Sequence, residues 1–267
     1  MDIQGFFRTL DEMFTKGKTP EEIDAYLLSA LEQAKEEKDY GAYASIGNEM
    51  IGFYRSISRY EDCFRISEDV LMLMEELQLD GTEHFATTLL NVATGYRAAG
   101  RLNESLSYYA RALQLYEQLL PKGDYRFAGL YNNISLLLES LNDNEKAVIF
   151  SERAMEVIDA IPECVSEQAS TRTNLALIYL KLGRDEEAKK LLKDALDRYE
   201  SIEGEINDPH YSAALSGLAE AAFKEENYTE ALSLYERAAE EVKLHFGENE
   251  SYQLLLQNAE LVKKHLS

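Results

Sequence analysis

Residues Thr173-Asn-Leu-Ala-Leu-Ile-Tyr-Leu-Lys-Leu-Gly-Arg184 are the stretch that decides the fold, because the same pattern recurs along the chain. It returns as Leu90-Asn-Val-Ala-Thr-Gly-Tyr-Arg-Ala-Ala-Gly-Arg101, as Asn132-Asn-Ile-Ser-Leu-Leu-Leu-Glu-Ser-Leu-Asn-Asp143 and, with glycine in place of asparagine, from Ser216 to Asn227. The anchors follow one another at intervals of 42, 41 and 43 residues; they are Asn91, Asn133, Asn174 and Gly217. A fixed period of this length indicates stacked structural repeats.

Small residues recur at three points of each repeat. Two antiparallel helices approach closely only where side chains are small, so these points are predicted to be the contacts between the two helices of a hairpin. Gly100, Asn142 and Gly183 tolerate the left-handed conformation that ends a helix, and they mark the turns. The three sets are Ala93, Ser135, Ala176 and Ala219; Cys63, Ser105, Ala147, Ala188 and Ala231; and Val70, Ala112, Ala154, Ala195 and Ala238.

The recurring Asn-Leu-Ala, Gly-Arg and Glu-Ala…Ala-Leu blocks resemble the tetratricopeptide repeat, in the longer form found in kinesin light chains and bacterial signalling proteins. The resemblance covers roughly residues 40 to 250 and implies an all-α fold, a right-handed superhelical solenoid of antiparallel helix hairpins. The first repeat lacks the asparagine, and the family's proline after the second helix is missing.

The predicted organisation is a helix pair, an array of about five repeats and a closing helix. Thr19-Pro-Glu-Glu has the cap and the N-terminal proline of a helix start, so residues 1–39 are expected to be a degenerate repeat or a cap. The predicted segments are 1–39, then 40–82, 83–124, 125–165, 166–207 and 208–250, and finally the capping helix 251–267.

In the family, the position of Asn91, Asn133 and Asn174 faces the concave groove formed by the first helices, as do the positions of Thr94 and Arg97. Asparagine is a poor residue inside a helix, so three in register need a reason. Its amide both donates and accepts, which matches the backbone of an extended peptide. The alternative is that each asparagine bridges adjacent repeats and contributes only stability. If the asparagines hold a peptide backbone, specificity falls to neighbouring side chains, and the candidates are Arg55, Arg97, Asn132, Thr173 and Tyr131.

Composition narrows the classes of partner. The chain has 27 Lys and Arg against 49 Asp and Glu, a net charge of -22. This charge works against a grip on nucleic acid or an anionic membrane and favours basic peptides or proteins. The N-terminus lacks the pattern of a signal peptide, and two cysteines without partner spacing favour a reduced, cytoplasmic location.

No catalytic or cofactor-binding motif is present, and the four histidines lack metal-ligand spacing, so neither an enzyme, a cofactor nor a metal is expected. The predicted function is an adaptor that holds an extended peptide segment of a partner protein. A peptide-sensing regulator resembling bacterial tetratricopeptide regulators and a self-associating assembly module are the alternatives. The oligomeric state and the identity of the partner are left open.

Overall fold

A computed structural model describes residues 1–204 and 206–266, and within these residues the chain forms thirteen α-helices and no strand. The predicted all-α fold is confirmed. None of the described helices is both long and apolar enough to cross a membrane. The helices are α1 Ile3–Thr15, α2 Pro20–Glu36, α3 Tyr40–Ser56, α4 Tyr60–Glu76, α5 Glu83–Ala98, α6 Leu102–Leu119, α7 Arg126–Ser140, α8 Asn144–Asp159, α9 Val165–Lys181, α10 Asp185–Glu200, α11 Pro209–Lys224, α12 Tyr228–Phe246 and α13 Glu250–Leu266.

The chain divides into two compact units, Met1–Lys122 and Gly123–Ser267. Within each unit, consecutive helices pack as hairpins, such as α5 with α6 and α9 with α10. The odd-numbered helices α1 to α11 are the first helices of these hairpins and the even-numbered ones are the second. The first helices α3 and α5 touch each other, as do α9 and α11, so first helices lie side by side within each unit. The division into repeats at the predicted residues stays a prediction.

The turns within hairpins each pass through one residue with positive φ. Gly100 and Gly183, with φ of 75° and 72°, and Asn142, with φ of 60°, occupy the predicted turns. Two further turns pass through Ser58 and Glu226, at φ of 59° and 62°, where no glycine or asparagine marked the position. Left-handed backbone costs such residues about 1 kcal/mol, and the hydrogen bonds of the turn offset this cost.

Those hydrogen bonds have the Schellman pattern, in which a backbone N–H beyond the helix end returns to a carbonyl of its last turn. Arg59 N donates to Tyr54 O and Arg101 N donates to Tyr96 O, each over 2.9 Å. The same two arginines lay their guanidinium groups over the rings of Tyr54 and Tyr96, at 4.7 and 4.8 Å from the ring centroids. The repeated arginine after the turn therefore stabilises the hairpin end.

The small residues of the three sets are buried, as close contacts between helices require. All fourteen are at most 1% exposed. At two of these points a serine hydroxyl bridges the helices directly: Ser105 Oγ donates to Ala93 O and Ser135 Oγ donates to Ala147 O, both over 2.8 Å. A larger side chain at these points would separate the helices.

The pair α1 and α2 begins the chain, and its second helix starts at the predicted signal. Thr19 Oγ1 accepts from Glu22 N, while the Glu22 carboxylate accepts from Thr19 N, so the two residues form a capping box with Pro20 at the first helical position. The capping box satisfies two backbone donors that the helix cannot pair internally.

Candidate partner-binding site

A cleft of about 590 Å³ opens on the first helices of the unit Met1–Lys122. Its walls come from α1, α3 and α5, with Met74 and Leu79 of the second helix α4 and its following loop at one edge. Apolar side chains such as Ile3 and Phe7 are combined with hydroxyl, amide and carboxylate groups. A concave, largely apolar site with a few polar groups is what a bound segment requires.

A chain of amide and hydroxyl groups crosses the wall of this cleft from α3 to α5. Asn91 Nδ2 donates to Asn48 Oδ1 over 2.8 Å, and Asn48 Nδ2 donates to Thr88 Oγ1 over 2.9 Å and to Ala44 O over 3.0 Å. Asn91 therefore bridges adjacent repeats, as the alternative interpretation of the asparagines proposed. Its Oδ1 accepts no hydrogen bond from a described residue, so it keeps one acceptor on the cleft.

Asn48 is a residue of the candidate site that the repeat pattern missed. Helix α3 has 17 residues and α5 has 16, so Asn48 lies one place before the position that the 42-residue step assigns to the asparagine. The first repeat has no asparagine at the position 42 residues before Asn91. The neighbouring Asn48 supplies the amide. Asn48 could have been found from the sequence, because an asparagine inside a predicted helix is unfavourable and needs a reason.

The same type of bridge occurs in the unit Gly123–Ser267. Asn132 Nδ2 of α7 donates to Thr171 Oγ1 of α9 over 2.8 Å. Asn132 Oδ1 is shielded from solvent and has no hydrogen-bond partner among the described residues. The contact of Asn132 with a partner stays a prediction, and the structure shows its amide nitrogen in a bridging contact.

The other two anchor asparagines make no bridge. Asn133 Nδ2 donates to Gly129 O of its own helix over 2.9 Å. The side chain of Asn174 forms no hydrogen bond with any described residue, and it is half-buried on α9. The asparagines in register therefore share a position in sequence and differ in their contacts.

Two predicted contact residues were placed wrongly on the exposed face. Thr94 is 8% exposed; its hydroxyl donates to Leu90 O over 2.9 Å and lies 2.8 Å from the hydroxyl of Tyr109, with which it is hydrogen-bonded. Thr173 is fully buried, and its hydroxyl donates to Ala169 O over 3.0 Å. Both hydroxyls are satisfied inside the fold because a threonine can return its donor to the carbonyl four residues earlier.

Arg55 and Arg97 are half-buried near the C-terminal ends of α3 and α5. Neither forms an ion pair with a described residue, and Arg97 Nε is shielded from solvent without a hydrogen-bond partner. A buried donor without an acceptor costs about 1–3 kcal/mol. The pair lies about 9 Å along the helices from the level of Asn91, at 1.5 Å per residue.

Glu49 adds a negative group to the cleft. It is an exposed residue of the cleft lining, next to Asn48, and forms no ion pair with a described residue. Burial, and then the charge of Asp11, raise the pKa of the Glu49 carboxyl above its usual range. An incoming cation would reverse this effect, so Glu49 favours a basic group at this end of the site.

The unit Gly123–Ser267 uses its polar groups differently. Arg172 of α9 is 5% exposed, and Asp159 and Asp194 of the second helices hold its guanidinium. Asp159 takes two hydrogen bonds, at 2.7 and 2.9 Å, and Gln168 O takes a third at 3.1 Å. Burial would lower the pKa of Arg172, but the hydrogen bonds to Asp159 and Asp194 raise it. This ion cluster fixes α9 against α8 and α10.

A second polar cluster surrounds Asp208, the N-cap of α11. Its Oδ2 accepts from Ser166 Oγ, Ser170 Oγ and the Tyr199 hydroxyl, each over 3.1 Å. Its Oδ1 accepts from His210 N over 2.9 Å. Burial alone would raise the pKa of Asp208, yet the hydrogen bonds from His210 and Ser170 hold it well below its usual range. His210 and both serines lie around the carboxylate, so the cluster is a helix cap.

No group of histidine, cysteine or carboxylate side chains in residues 1–204 and 206–266 is arranged to hold a metal ion. Cys63 and Cys164 are free thiols. The prediction that the chain is not an enzyme stays a prediction.

Two family models described as tetratricopeptide repeat match the sequence. One matches residues 84–160 and again residues 126–201, and the other matches residues 173–243. Together they extend over more than half of the chain. The chain belongs to the tetratricopeptide repeat family. Membership of this family indicates a protein-interaction scaffold.

Curated relatives place these tetratricopeptide repeats with those of kinesin light chains. The chain is 21% identical over 225 residues to Protein KINESIN LIGHT CHAIN-RELATED 3 of Arabidopsis thaliana. The aligned segment covers 84% of this chain and 34% of the relative. It is 25% identical over 155 residues to Protein KINESIN LIGHT CHAIN-RELATED 1 of the same organism, over 58% of this chain and 25% of the relative. The chain thus spans about a third of the length of such relatives or less. The resemblance to the kinesin light chain type is confirmed.

Solved structures share the tetratricopeptide fold. BtubC (BKLC) from P. vanneervenii matches with a TM-score of 0.65 at 16% identity, covering 93% of this chain and 92% of that one. NprR, crystallised in complex with its cognate peptide NprX, matches with a TM-score of 0.65 at 17% identity, covering 96% of this chain and 71% of that one. At these identities the likeness shows the fold.

Proposed function

We propose that this chain is a non-catalytic adaptor that holds an extended segment of a partner protein on the first helices of Met1–Lys122. The observation that carries the proposal is the cleft on α1, α3 and α5, with the free acceptor of Asn91 on its wall. An extended segment leaves its backbone N–H groups without partners, and an amide oxygen is a suitable acceptor for them.

Asn48 prepares Asn91 for this role. The hydrogen bond from Asn91 Nδ2 to Asn48 Oδ1 fixes which end of the Asn91 amide turns away from its neighbour. Asn48 is held in turn by Thr88 and Ala44. A side chain that is already ordered loses less conformational entropy on binding. The bridging contact and the peptide contact are therefore compatible uses of one asparagine.

The partner segment is proposed to carry a basic residue near Glu49. Glu49, which lines the cleft without an ion pair to a described residue, supports this, and the net charge of -22 would speed the approach of a basic partner. The peptide complex of NprR, a neighbour in fold, supports a peptide as the type of ligand. The free thiols Cys63 and Cys164 fit a cytoplasmic location, which is part of the same proposal.

A displayed library of random peptides, panned against the full chain, tests the proposal whatever the identity of the partner. Peptides recovered from it are synthesised, and their affinities are measured by fluorescence anisotropy for the native chain and for Asn91→Leu. Loss of one acceptor at the site should weaken binding about fivefold to tenfold. Circular dichroism melting should show that the variant stays folded.

Asn103→Leu is the matched control, because Asn103 is exposed on the second helix α6 and the substitution is the same. It should leave the affinities unchanged. Asn133→Leu and Asn174→Leu show whether the footprint extends to the unit Gly123–Ser267. Recovery of no peptides, or equal effects of Asn91→Leu and Asn103→Leu, would rule out the proposed site. A peptide-dependent change in small-angle scattering would favour a sensor over an adaptor.

A further inference from the structure

Helix α13 has two apolar stripes, of which only one is covered. Leu255, Ala259 and Val262 are buried, and the helix packs against α12. Leu254 and Leu261 are 58% and 49% exposed. They are seven residues apart, about two helical turns, so they lie on one side of α13. Because the terminal element of a repeat array normally presents a polar outer face to solvent, α13 is more apolar than closing the array requires.

A cavity of about 420 Å³ adjoins the exposed stripe. Its walls come from α11, the end of α12 and the start of α13, and Leu254 is one of its lining residues. Apolar side chains such as Val242 and Phe246 line it together with small hydroxyl groups, and no charged side chain of a described residue does. An element that covers this face of α13 must therefore be apolar at its centre.

The two ends of α13 carry opposite charges beside this stripe. Glu250 lies in the first turn and Lys264 in the last, and both are exposed. They are fourteen residues apart, about four helical turns, so they share one side of the helix. Gln257 is midway between the two charges, and it is also next to the midpoint between Leu254 and Leu261. The pattern therefore pairs leucine with leucine and acid with base when a second α13 runs antiparallel about this point, which is the self-complementarity that a two-fold contact needs.

We infer that α13 pairs with α13 of a second copy of this chain, antiparallel about a two-fold axis near Gln257. In this arrangement Leu254 of one copy lies near Leu261 of the other, where both lose contact with water. Glu250 of one copy lies near Lys264 of the other, whereas a parallel pair would bring like charges together.

The charges at α13 also explain why an acidic chain would associate at this face. A net charge of -22 makes two copies repel, and the opposite charges of Glu250 and Lys264 reduce this repulsion at the contact. The inference is independent of the proposed function, because no described residue of α13 lines the cleft of Met1–Lys122.

Sedimentation equilibrium of the full chain over a wide range of concentrations measures this association. A helix of 17 residues is about 25 Å long, so the contact is small for a specific interface, and a dissociation constant on the order of micromolar is expected. Leu254→Gln/Leu261→Gln should raise this constant at least about tenfold, because the contact of two copies loses four leucines. Leu28→Gln/Leu106→Gln is the matched control, because these leucines are 48% and 41% exposed on the second helices α2 and α6. It should leave the constant unchanged.

Charge reversals test the orientation of the pair. Glu250→Lys and Lys264→Glu should each raise the dissociation constant about fivefold to tenfold, since each places like charges together at both ends of the contact. Glu250→Lys/Lys264→Glu should restore the native constant, because every charge again faces its opposite. In a parallel pair, the two single variants would leave the like-charge contacts as they are and change nothing. Circular dichroism melting should show that all variants stay folded.

A native chain that stays monomeric at every concentration would overturn the inference, as would equal weakening by Leu28→Gln/Leu106→Gln. Growth beyond the dimer would do the same, because it indicates a head-to-tail contact. Failure of the double charge variant to recover the native constant would exclude the antiparallel pair. A monomeric chain whose library peptides bind the native chain and not Leu254→Gln/Leu261→Gln would show that a segment of another protein covers the stripe in place of a second copy.

Discussion

The units Met1–Lys122 and Gly123–Ser267 are built from the same repeat, yet they differ in what their polar side chains contact. In the first, Asn91 keeps an open acceptor and Arg97 has no acidic partner among the described residues. In the second, Arg172 is enclosed by Asp159 and Asp194, and Asp208 accepts from both serines and a tyrosine. At Asn91 and Arg97 the first unit leaves hydrogen-bonding capacity for a partner, whereas at Arg172 and Asp208 the second unit uses it to hold its own helices.

The difference shows what a repeat pattern can and cannot specify. The position of a residue within the repeat determines which side of a helix it occupies. The neighbouring helix determines whether its polar group already has a hydrogen-bond partner. Asn132 and Asn48 both donate to a threonine of the next first helix. Asn48 also accepts a hydrogen bond, from Asn91, and it lies on a cleft.

The largest expected effect comes from the double variant Asp159→Asn/Asp194→Asn, which removes both carboxylates from Arg172. Arg172 is 5% exposed, so its charge would remain buried without a counterion. Breaking such a pair costs about 3–5 kcal/mol, and the lower end applies because the carboxylates are 38% and 46% exposed. Urea unfolding followed by circular dichroism should show a loss of about 3 kcal/mol.

Two half-buried arginines of the first unit, Arg55 and Arg97, provide the control. Arg55→Gln/Arg97→Gln should change the free energy of unfolding by less than about 0.5 kcal/mol, or increase it, because these charges have no ion-pair partner among the described residues to lose. A loss as large as that of Asp159→Asn/Asp194→Asn would mean that both units use their arginines for stability. The comparison between the units would then fail.

A smaller effect separates the two bridging asparagines. Asn48→Leu removes the hydrogen bonds with Thr88, Ala44 and Asn91 and should lower the free energy of unfolding by about 1–2 kcal/mol. Asn132→Leu removes one bond, to Thr171, but also an acceptor that is buried without a partner among the described residues. Its net effect should stay within about 0.5 kcal/mol. Both changes can be measured from the urea concentration at the midpoint of unfolding, provided that the dependence of the unfolding free energy on urea is unchanged. Equal losses of stability would show that the two bridges are equivalent.

The fold was predictable because each repeat restates the same local physics. Small residues at Ala93 and Ser105 permit close helix approach, and Gly100 permits the turn, so four similar segments reinforce one another. The turns at Ser58 and Glu226 were not predicted, because their left-handed backbone is imposed by the hydrogen bonds of the turn and not by the residue type.

The candidate site was predictable only in part. Asn91, Arg55 and Arg97 lie on the first helices, but Thr94 and Thr173 are buried. Whether a threonine faces outward depends on the side chains across the hairpin, such as Tyr109 against Thr94, and no pattern within one repeat contains that information. Asn48 was missed because α3 is one residue longer than α5, which moves the amide by one place.

The smallest expected effect is a pH dependence confined to the second unit. The pKa of Asp208 is depressed in the folded chain, so its carboxylate contributes stability above the unfolded value of about 3.9 and loses that contribution as the pH falls through the acid range. Asp208→Asn should therefore be less stable than the native chain by about 1 kcal/mol at pH 7, and the difference should shrink at pH values below about 4.

Urea unfolding at several pH values between neutrality and the onset of acid unfolding measures this difference. Asp80→Asn is the control, because Asp80 is exposed in the first unit and forms no ion pair with a described residue. Its stability relative to the native chain should not vary with pH. A difference for Asp208→Asn that does not vary with pH would show that the surrounding groups hold the protonated carboxyl as strongly as the carboxylate, so that folding does not lower the pKa of Asp208. The charge of Asp208 would then contribute nothing to the stability of the second unit. The comparison with the unpaired charges of Arg55 and Arg97 would in that case depend on Arg172.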